Sequence, residues 1–78
     1  MPMLPVISGD RLVAALRRAG FSVVRQRGSH VSLSRTTKAG ETHRTVVPLH
    51  RELAAGTLMD ILQQCGLSKD DLIGLIRD

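Results

Sequence analysis

The 78-residue chain contains no tryptophan and no tyrosine, and it has a single phenylalanine, Phe21. Proteins that bind single-stranded nucleic acid by stacking its bases need several exposed aromatic rings. The near absence of such rings excludes an aromatic stacking platform. Leucine, valine, isoleucine and alanine must therefore build the hydrophobic core. At this length the sequence predicts one small domain spanning residues 1–78.

Cysteine and long apolar runs are equally scarce. The single cysteine, Cys65, excludes an internal disulfide. No apolar run reaches the roughly 20 residues that a helix needs to cross a bilayer. Residues 1–7 lack the basic start and the long apolar stretch of a secretory signal, and we interpret them as a short extended lead-in. These features predict a cytoplasmic protein with no membrane partner.

Acidic residues are few in the first two thirds of the chain. Residues 1–51 contain nine Lys or Arg against two Asp or Glu, whereas residues 52–78 contain two against five. A basic surface attracts phosphate through counterion release and electrostatic steering. Nucleic acid is therefore the leading class of partner, although an ordinary solvated surface explains the charge almost as simply. Charge alone does not separate DNA from RNA.

Apolar periodicity and capping residues predict three helices. Ser8 is placed to cap a first helix that ends before Gly20. A second helix ends at Gly66, and Ser68 with Asp71 forms the capping box of a short third helix. The apolar sides of the first two helices consist of Leu12, Val13, Leu16, Ala19, Leu58, Ile61, Leu62 and Cys65.

Three stretches rich in β-branched residues predict strands at residues 21–27, 30–35 and 43–49. The two-residue connection Gly28-Ser29 between the first two suits a type II′ hairpin turn. We therefore expect an α+β fold with the order α-β-β-β-α and a short last helix. Both main helices should cover one face of a three-stranded antiparallel sheet.

The turn also sets a register for the hairpin. The predicted partners are Arg27 and His30, Gln26 and Val31, Arg25 and Ser32, and Val24 and Leu33. In this register Val24, Val31 and Leu33 face the helices, and the opposite face is basic and open. Phe21 and Val23 then lie on the basic side, which requires either a β-bulge or cover from the first helix.

His30 follows the predicted turn directly and is the main candidate for chemistry. Imidazole exchanges protons near neutral pH, so it can act as acid or base when RNA is cleaved through its own 2′-hydroxyl. Arg25 and Arg27 share the predicted face of His30, where guanidinium groups would hold a phosphate. By spacing alone, a histidine at the start of a strand that faces water is the simpler interpretation.

Gly28, Ser29 and Lys38 are secondary candidates for contact with RNA. The turn needs the backbone freedom of glycine, and the serine hydroxyl or an exposed amide could contact a phosphate. A structural role is the simpler interpretation for both turn residues. Lys38 lies in the loop predicted at residues 36–42, and loop lysines are usually just solvated.

The remaining reactive residues have simpler explanations. His43 and His50 could supply a second proton-transfer group if the fold brought either of them near the hairpin, but each is more simply a surface residue. Cys65 belongs to the apolar stripe of the second helix. A metal site needs three or four ligands close together, whereas the histidines are far apart and no carboxylates cluster with them. We therefore predict neither a metal nor a cofactor.

Several ordered motifs resemble the HicA family of toxins, and the resemblance runs from about Ser8 to Ile76. They are Gly20-Phe21, Arg25-Gln26-Arg27-Gly28-Ser29-His30, Val46-Val47-Pro48-Leu49-His50, Gly56-Thr57-Leu58, Ile61-Leu62 and Gly66-Leu67-Ser68. The resemblance implies a double-stranded-RNA-binding-like fold, a small mRNA endoribonuclease and inhibition by a HicB antitoxin. The catalytic histidine of the family follows the Gly-Ser turn, which corresponds to His30. The resemblance assigns no role to His43, His50 or any particular arginine.

The sequence thus predicts a toxin of a toxin–antitoxin system that cleaves mRNA without a metal. His30 would be its general acid or base, and a HicB-like antitoxin would inhibit it by covering the same face. Two other functions fit the basic face. A non-catalytic RNA-binding module would bind A-form helices by their shape and phosphates. An interaction protein would bind an acidic protein surface instead.

Overall fold

The computed structural model describes residues 3–77 of the chain. The elements are α1 (Gly9–Arg18), β1 (Ser22–Arg27), β2 (His30–Thr36), β3 (Thr42–Pro48), α2 (Ala55–Cys65) and α3 (Lys69–Ile76). This order confirms the predicted α+β arrangement. Met1 and Pro2, which begin the predicted lead-in, lie outside the described residues, and so does Asp78.

α1 begins and ends at the predicted residues. The Ser8 side chain accepts a hydrogen bond from the backbone N–H of Arg11 at 3.2 Å. This bond satisfies one of the donors that the first turn of a helix leaves free. After the helix, Gly20 has a φ of 98°, which a residue with a Cβ adopts only at a cost. The buried residues of α1 are Gly9, Leu12, Ala15 and Leu16.

α2 and α3 also follow the predicted signals. Gly66 ends α2 with a φ of 69°, in the left-handed region. In the capping box of α3, the Asp71 N–H donates to the Ser68 hydroxyl at 3.0 Å, and the Asp71 carboxylate accepts from the Ser68 N–H at 2.8 Å. Hydrogen bonds with the Ser68 backbone and side chain lower the pKa of the Asp71 carboxyl. Leu72 is fully buried and anchors α3 in the core.

The turn between β1 and β2 has the predicted conformation. Gly28 has a φ of 54°, while none of the non-glycine residues in the range 3–77 has a positive φ. A positive φ at the first turn residue but not at Ser29 fits type II′. The partners next to the turn are Arg27 with His30, Gln26 with Val31 and Arg25 with Ser32. They confirm the predicted register for this part of the hairpin.

The predicted register is wrong at the start of β1. Val23 rather than Val24 pairs with Leu33, because a β-bulge lies between Val23 and Arg25. The bulge places Val23 on the helix-covered side and leaves Val24 64% exposed instead of facing the core. Phe21 gives the physical reason, since it is only 3% exposed. The free energy gained by burying this large ring outweighs the cost of interrupting the regular hydrogen bonding between β1 and β2.

The strands form one antiparallel sheet in the order β1-β2-β3. α2 packs against β3, and α3 packs against α1. One sheet face contributes Val31, Leu33 and Val47 to the core. The buried core consists of Ile7, Leu12, Ala15, Leu16, Phe21, Val31, Leu33, Val47, Leu53, Leu58, Ile61, Leu62, Cys65 and Leu72. The side chains that alternate with these on β2 and β3 point to the other face, which is open.

The chain that leaves β3 is held against both the hairpin turn and α1. The Leu49 N–H donates to the carbonyl oxygen of Ser29 at 2.6 Å, and the Gly9 N–H donates to the carbonyl oxygen of His50 at 2.9 Å. A Cβ on Gly9 would press on the carbonyl oxygen of Pro48 and lie 2.8 Å from the Cα of Leu49. Glycine is therefore what allows α1 to begin this close to the end of β3.

Candidate functional site

The open sheet face brings together three of the predicted site residues. Arg27 is directly opposite His30, and Arg25 is directly opposite Ser32. Side chains of directly opposite residues lie on the same face, so all four share it. Arg25, Arg27 and His30 are exposed. A guanidinium can donate two parallel hydrogen bonds to phosphate oxygens. One pair of strands thus presents an imidazole beside two phosphate-binding groups on the neighbouring strand.

Arg44 is a third arginine on this face, and the sequence reasoning missed it. β2 pairs Ser34 with Arg44. Ser34 lies four residues along β2 from His30 and therefore on the same face. The signal available in the sequence was the alternation of side chains between the two faces of a strand. In β3 this alternation buries Thr45 and exposes Arg44. We define the basic face as the exposed side chains of Arg25, Arg27, His30 and Arg44.

Two exposed aliphatic side chains adjoin the basic face. Val24 at the bulge is 64% exposed, and Val46, which pairs with Ser32, is 48% exposed. A shallow hollow of about 490 Å³ is lined by Val24, Ser32, Leu33, Arg44, Thr45, Val46 and Gln64. His30 lies outside this hollow. Its imidazole therefore stands on an open surface, which suits an extended partner better than a small enclosed ligand.

Gly28 and Ser29 form the turn beside the basic face, and both are exposed. The Gln26 side-chain amide donates to the carbonyl oxygen of Gly28 at 3.2 Å. The carbonyl oxygen of Ser29 accepts the hydrogen bond from Leu49. The first contact braces the turn from within the hairpin, and the second holds it against the end of β3. The structural role predicted for the turn residues is thus visible, and it sets where the hairpin tip lies.

Lys38 is not brought together with the other predicted residues. It is exposed in the turn between β2 and β3, at the opposite end of the sheet from His30. β2 runs from His30 to Thr36, and a strand rises about 3.3 Å per residue, so the two ends are roughly 20 Å apart. Lys38 can therefore contact only a different part of an RNA strand from the part that lies at His30.

His43 lies on the helix-covered side of the sheet. It pairs with Arg35, and its Nδ1 is 3.2 Å from the carbonyl oxygen of Gln64 in the last turn of α2. A Cβ on Gly66 would come within 3.0 Å of the ring, so the imidazole packs over the end of the helix. His43 therefore docks β3 onto α2, on the opposite face from His30.

Cys65 is buried in the core, and burial raises the pKa of its thiol to about 11. Because the thiolate is the reactive form of cysteine, this thiol is unreactive at neutral pH. The predicted packing role of Cys65 agrees with its position. Within residues 3–77 no three His, Cys, Asp or Glu side chains cluster as metal ligands would.

Similarity to known proteins identifies the family. A family model described as the HicA toxin of bacterial toxin–antitoxin systems matches residues 9–67, which is more than half of the chain. This chain belongs to the HicA toxin family. A search of curated proteins finds no match. The matched range of the toxin contains α1, the whole sheet and α2, and so includes the hairpin with His30.

Family membership confirms the predicted resemblance and establishes a role for the protein as a toxin. A toxin of a toxin–antitoxin system also implies an antitoxin as its partner. None of the helices between residues 3 and 77 is long and apolar enough to span a membrane. In this HicA toxin the basic face is the surface that three of the predicted site residues share, namely Arg25, Arg27 and His30.

Proposed function

We propose that this toxin is a metal-independent endoribonuclease that cleaves mRNA in the cytoplasm. The main support is the position of His30, exposed at the start of β2 and directly opposite Arg27. An exposed imidazole beside guanidinium groups combines the two functions that RNA cleavage needs, which are proton transfer and stabilisation of phosphate charge.

The chemistry uses a nucleophile that RNA itself carries. A base removes the proton of a 2′-hydroxyl, and the 2′-oxygen attacks the adjacent phosphorus. The bond between phosphorus and the 5′-oxygen breaks, and an acid protonates that oxygen. The products are a 2′,3′-cyclic phosphate and a 5′-hydroxyl. His30 performs one of the two proton transfers, and no cofactor is required.

The arginines of the basic face bind the substrate without reading its sequence. Arg25 and Arg27 lie nearest to His30 and are suited to hold the phosphate that is cleaved. Arg44 lies further along the sheet, opposite Ser34, and is suited to a neighbouring phosphate. Contacts of this kind position a backbone but carry no base specificity. Gly28 and Ser29 at the hairpin tip offer an additional polar contact.

The purified toxin, in the presence of a chelator, should cleave an RNA oligonucleotide and leave a 2′,3′-cyclic phosphate. A single 2′-deoxynucleotide on the 5′ side of the cleaved bond should stop cleavage there, because the attacking oxygen is missing. The deoxy-substituted RNA should still bind with similar affinity, since the arginines contact phosphates. Gel electrophoresis and mass spectrometry of the fragments measure the cleavage, and fluorescence anisotropy measures the binding.

Three outcomes would contradict this function. Cleavage that stops in chelator and returns with added Mg²⁺ would show that a metal is required. Binding of both RNAs without cleavage of either would indicate the non-catalytic RNA-binding module. An absence of salt-sensitive affinity for RNA would favour an acidic protein surface as the partner.

We further propose that the antitoxin is HicB-like and inhibits by covering His30 and the basic face. Val24 and Val46 support a protein partner for this surface, because exposed aliphatic side chains gain little from an RNA backbone. A protein interface would bury them and would place acidic side chains against the arginines. The antitoxin would then compete directly with the substrate.

Replacing Val46 with serine should weaken antitoxin binding by roughly 5- to 30-fold, which corresponds to losing about 1–2 kcal/mol of aliphatic burial. RNA cleavage by the free toxin should stay the same, because Val46 contributes no charge and no proton. Titration calorimetry with the cognate antitoxin and an RNA cleavage assay provide the two measurements.

The matched control is Val23→Ser. Val23 is also partly exposed, at 43%, but it pairs with Leu33 on the helix-covered side. This variant should bind the antitoxin as the wild type does. Equal weakening by both variants, or a complex that still cleaves RNA, would contradict a competitive antitoxin on the basic face.

A further inference from the structure

The chain that follows β3 runs along the hairpin turn, next to His30. Pro48, the last residue of β3, is directly opposite His30. The hydrogen bond from the Leu49 N–H to the carbonyl oxygen of Ser29, at 2.6 Å, continues the pairing one residue beyond the strand. The next residue is His50. A second histidine is thus located at the same end of the sheet as the first.

The backbone at His50 is held in place from α1. Its carbonyl oxygen accepts the Gly9 N–H at 2.9 Å, and three residues later the Leu53 N–H donates to the carbonyl oxygen of Ile7 at 2.9 Å. The side chain of His50 is exposed. A fixed backbone with an exposed imidazole is the arrangement that a proton-transfer group requires.

The separation of the two histidines suits a single phosphate between them. Opposite residues in an antiparallel pair have Cα atoms about 5 Å apart, and each further residue adds about 3.3 Å along the strand. His50 is two residues beyond Pro48, the partner of His30, so strand geometry extended to His50 gives a separation of roughly 8 Å between the two histidine Cα atoms. Imidazoles on backbones this far apart can reach opposite sides of one phosphodiester.

The other candidates for a second group are less well placed. His43 lies on the opposite face and contacts the end of α2. The thiol of Cys65 is buried. Glu52, the carboxylate nearest to His50 along the chain, is exposed in the connection to α2 and is a useful comparison.

We infer that His50 is the second proton-transfer group of the toxin, complementary to His30. This inference rests on the endoribonuclease function proposed above. One imidazole accepts the proton of the 2′-hydroxyl as the 2′-oxygen bonds to phosphorus. The other donates a proton to the 5′-oxygen as its bond to phosphorus breaks. After cleavage, one histidine has gained a proton and the other has lost one, so the net charge of the pair is unchanged. Hydrolysis of the cyclic product, or proton exchange with water, returns each histidine to its starting protonation state.

The test is cleavage of two RNA substrates by wild type, His30→Ala, His50→Ala and Glu52→Gln. One substrate is ordinary RNA. In the other, sulfur replaces the bridging 5′-oxygen at the cleaved bond, so that a thiolate departs and needs no acid. His50→Ala should cleave ordinary RNA at least about 100-fold more slowly than wild type, the usual loss of one proton-transfer group. Glu52→Gln should cleave it at the wild-type rate.

With the sulfur substrate, just one of the two histidine variants should recover near wild-type activity, namely the variant that lacks the acid. Structural damage at residue 50 would not produce this recovery.

Binding of 2′-deoxy-substituted RNA and the thermal unfolding of His50→Ala should match wild type. A His50→Ala variant that cleaves ordinary RNA within about three-fold of wild type would overturn the inference, and so would identical responses of the two histidine variants to sulfur. If wild type cleaves neither substrate, the endoribonuclease function itself is wrong.

Discussion

Replacing His30 with alanine should lower the rate of RNA cleavage by roughly 10²- to 10⁴-fold, the usual contribution of one general acid or base. The arginines of the basic face remain in the variant, so RNA should bind with nearly unchanged affinity. The variant should therefore differ from wild type in the rate constant for cleavage of bound RNA and not in the affinity for RNA. Single-turnover cleavage measured in chelator, together with anisotropy of a deoxy-substituted RNA, separates the two quantities.

The exposure of His30 makes this experiment easy to interpret. An exposed residue on the open face supports no core contact, so the variant should unfold at the wild-type temperature. His43→Ala is the matched control, because it removes a histidine from the other face of the same sheet. It should retain cleavage when it is assayed well below its unfolding temperature. Undiminished cleavage by folded His30→Ala would contradict the catalytic role.

Replacing Gly9 with alanine should destabilise the toxin by about 3 kcal/mol, the upper end of the usual cost of overpacking, because the added group meets backbone. The added Cβ would press on the carbonyl oxygen of Pro48, lie 2.8 Å from the Cα of Leu49 and lie 3.0 Å from the carbonyl carbon of Pro48. These are main-chain atoms, so no side-chain rotation relieves the contact. α1 would have to move away from β3, and the hydrogen bond from Gly9 to His50 would be strained or lost.

Thermal and urea unfolding measure this effect. For a domain of this size each kcal/mol corresponds to roughly 4–8 °C, so the unfolding temperature should fall by at least about 12 °C. Gly74→Ala is the matched control, since a Cβ there meets no atom within 4 Å and the residue lies inside α3. It should stabilise the toxin by up to about 1 kcal/mol, because alanine is the better helix former. A Gly9→Ala variant that unfolds at the same temperature as Gly74→Ala would show that α1 does not need this close approach.

Much of the fold could be predicted because its signals are local. The Ser8 cap, the left-handed Gly66 and the capping box of Ser68 and Asp71 each depend on residues within one turn of a helix. The type II′ turn at Gly28 likewise depends on two residues and sets the partners beside it. The prediction that Arg25, Arg27 and His30 share one face followed directly from that turn.

The predictions that failed or stayed open depended on residues far apart in the chain. The bulge at Val24 arises because Phe21 is drawn into a core built mainly by other elements. Lys38 was a secondary candidate for contact with RNA, and the length of β2 separates it from His30. Arg44 was missed because its face is decided by the burial of its neighbours on β3.

Local sequence signals were enough to predict the order of the elements, the hairpin turn, the position of His30 beside two arginines and the resemblance to the HicA family. Those features depend on short-range backbone preferences and on sequence motifs, and neither requires knowledge of the tertiary contacts. The difference between His43 and His50 arises from tertiary contacts, which pack the first against α2 and tie the second beside the hairpin tip. That distinction depends on strand pairing between residues about 20 apart in the chain, and on the contact of Gly9 with the end of β3, about 40 residues away.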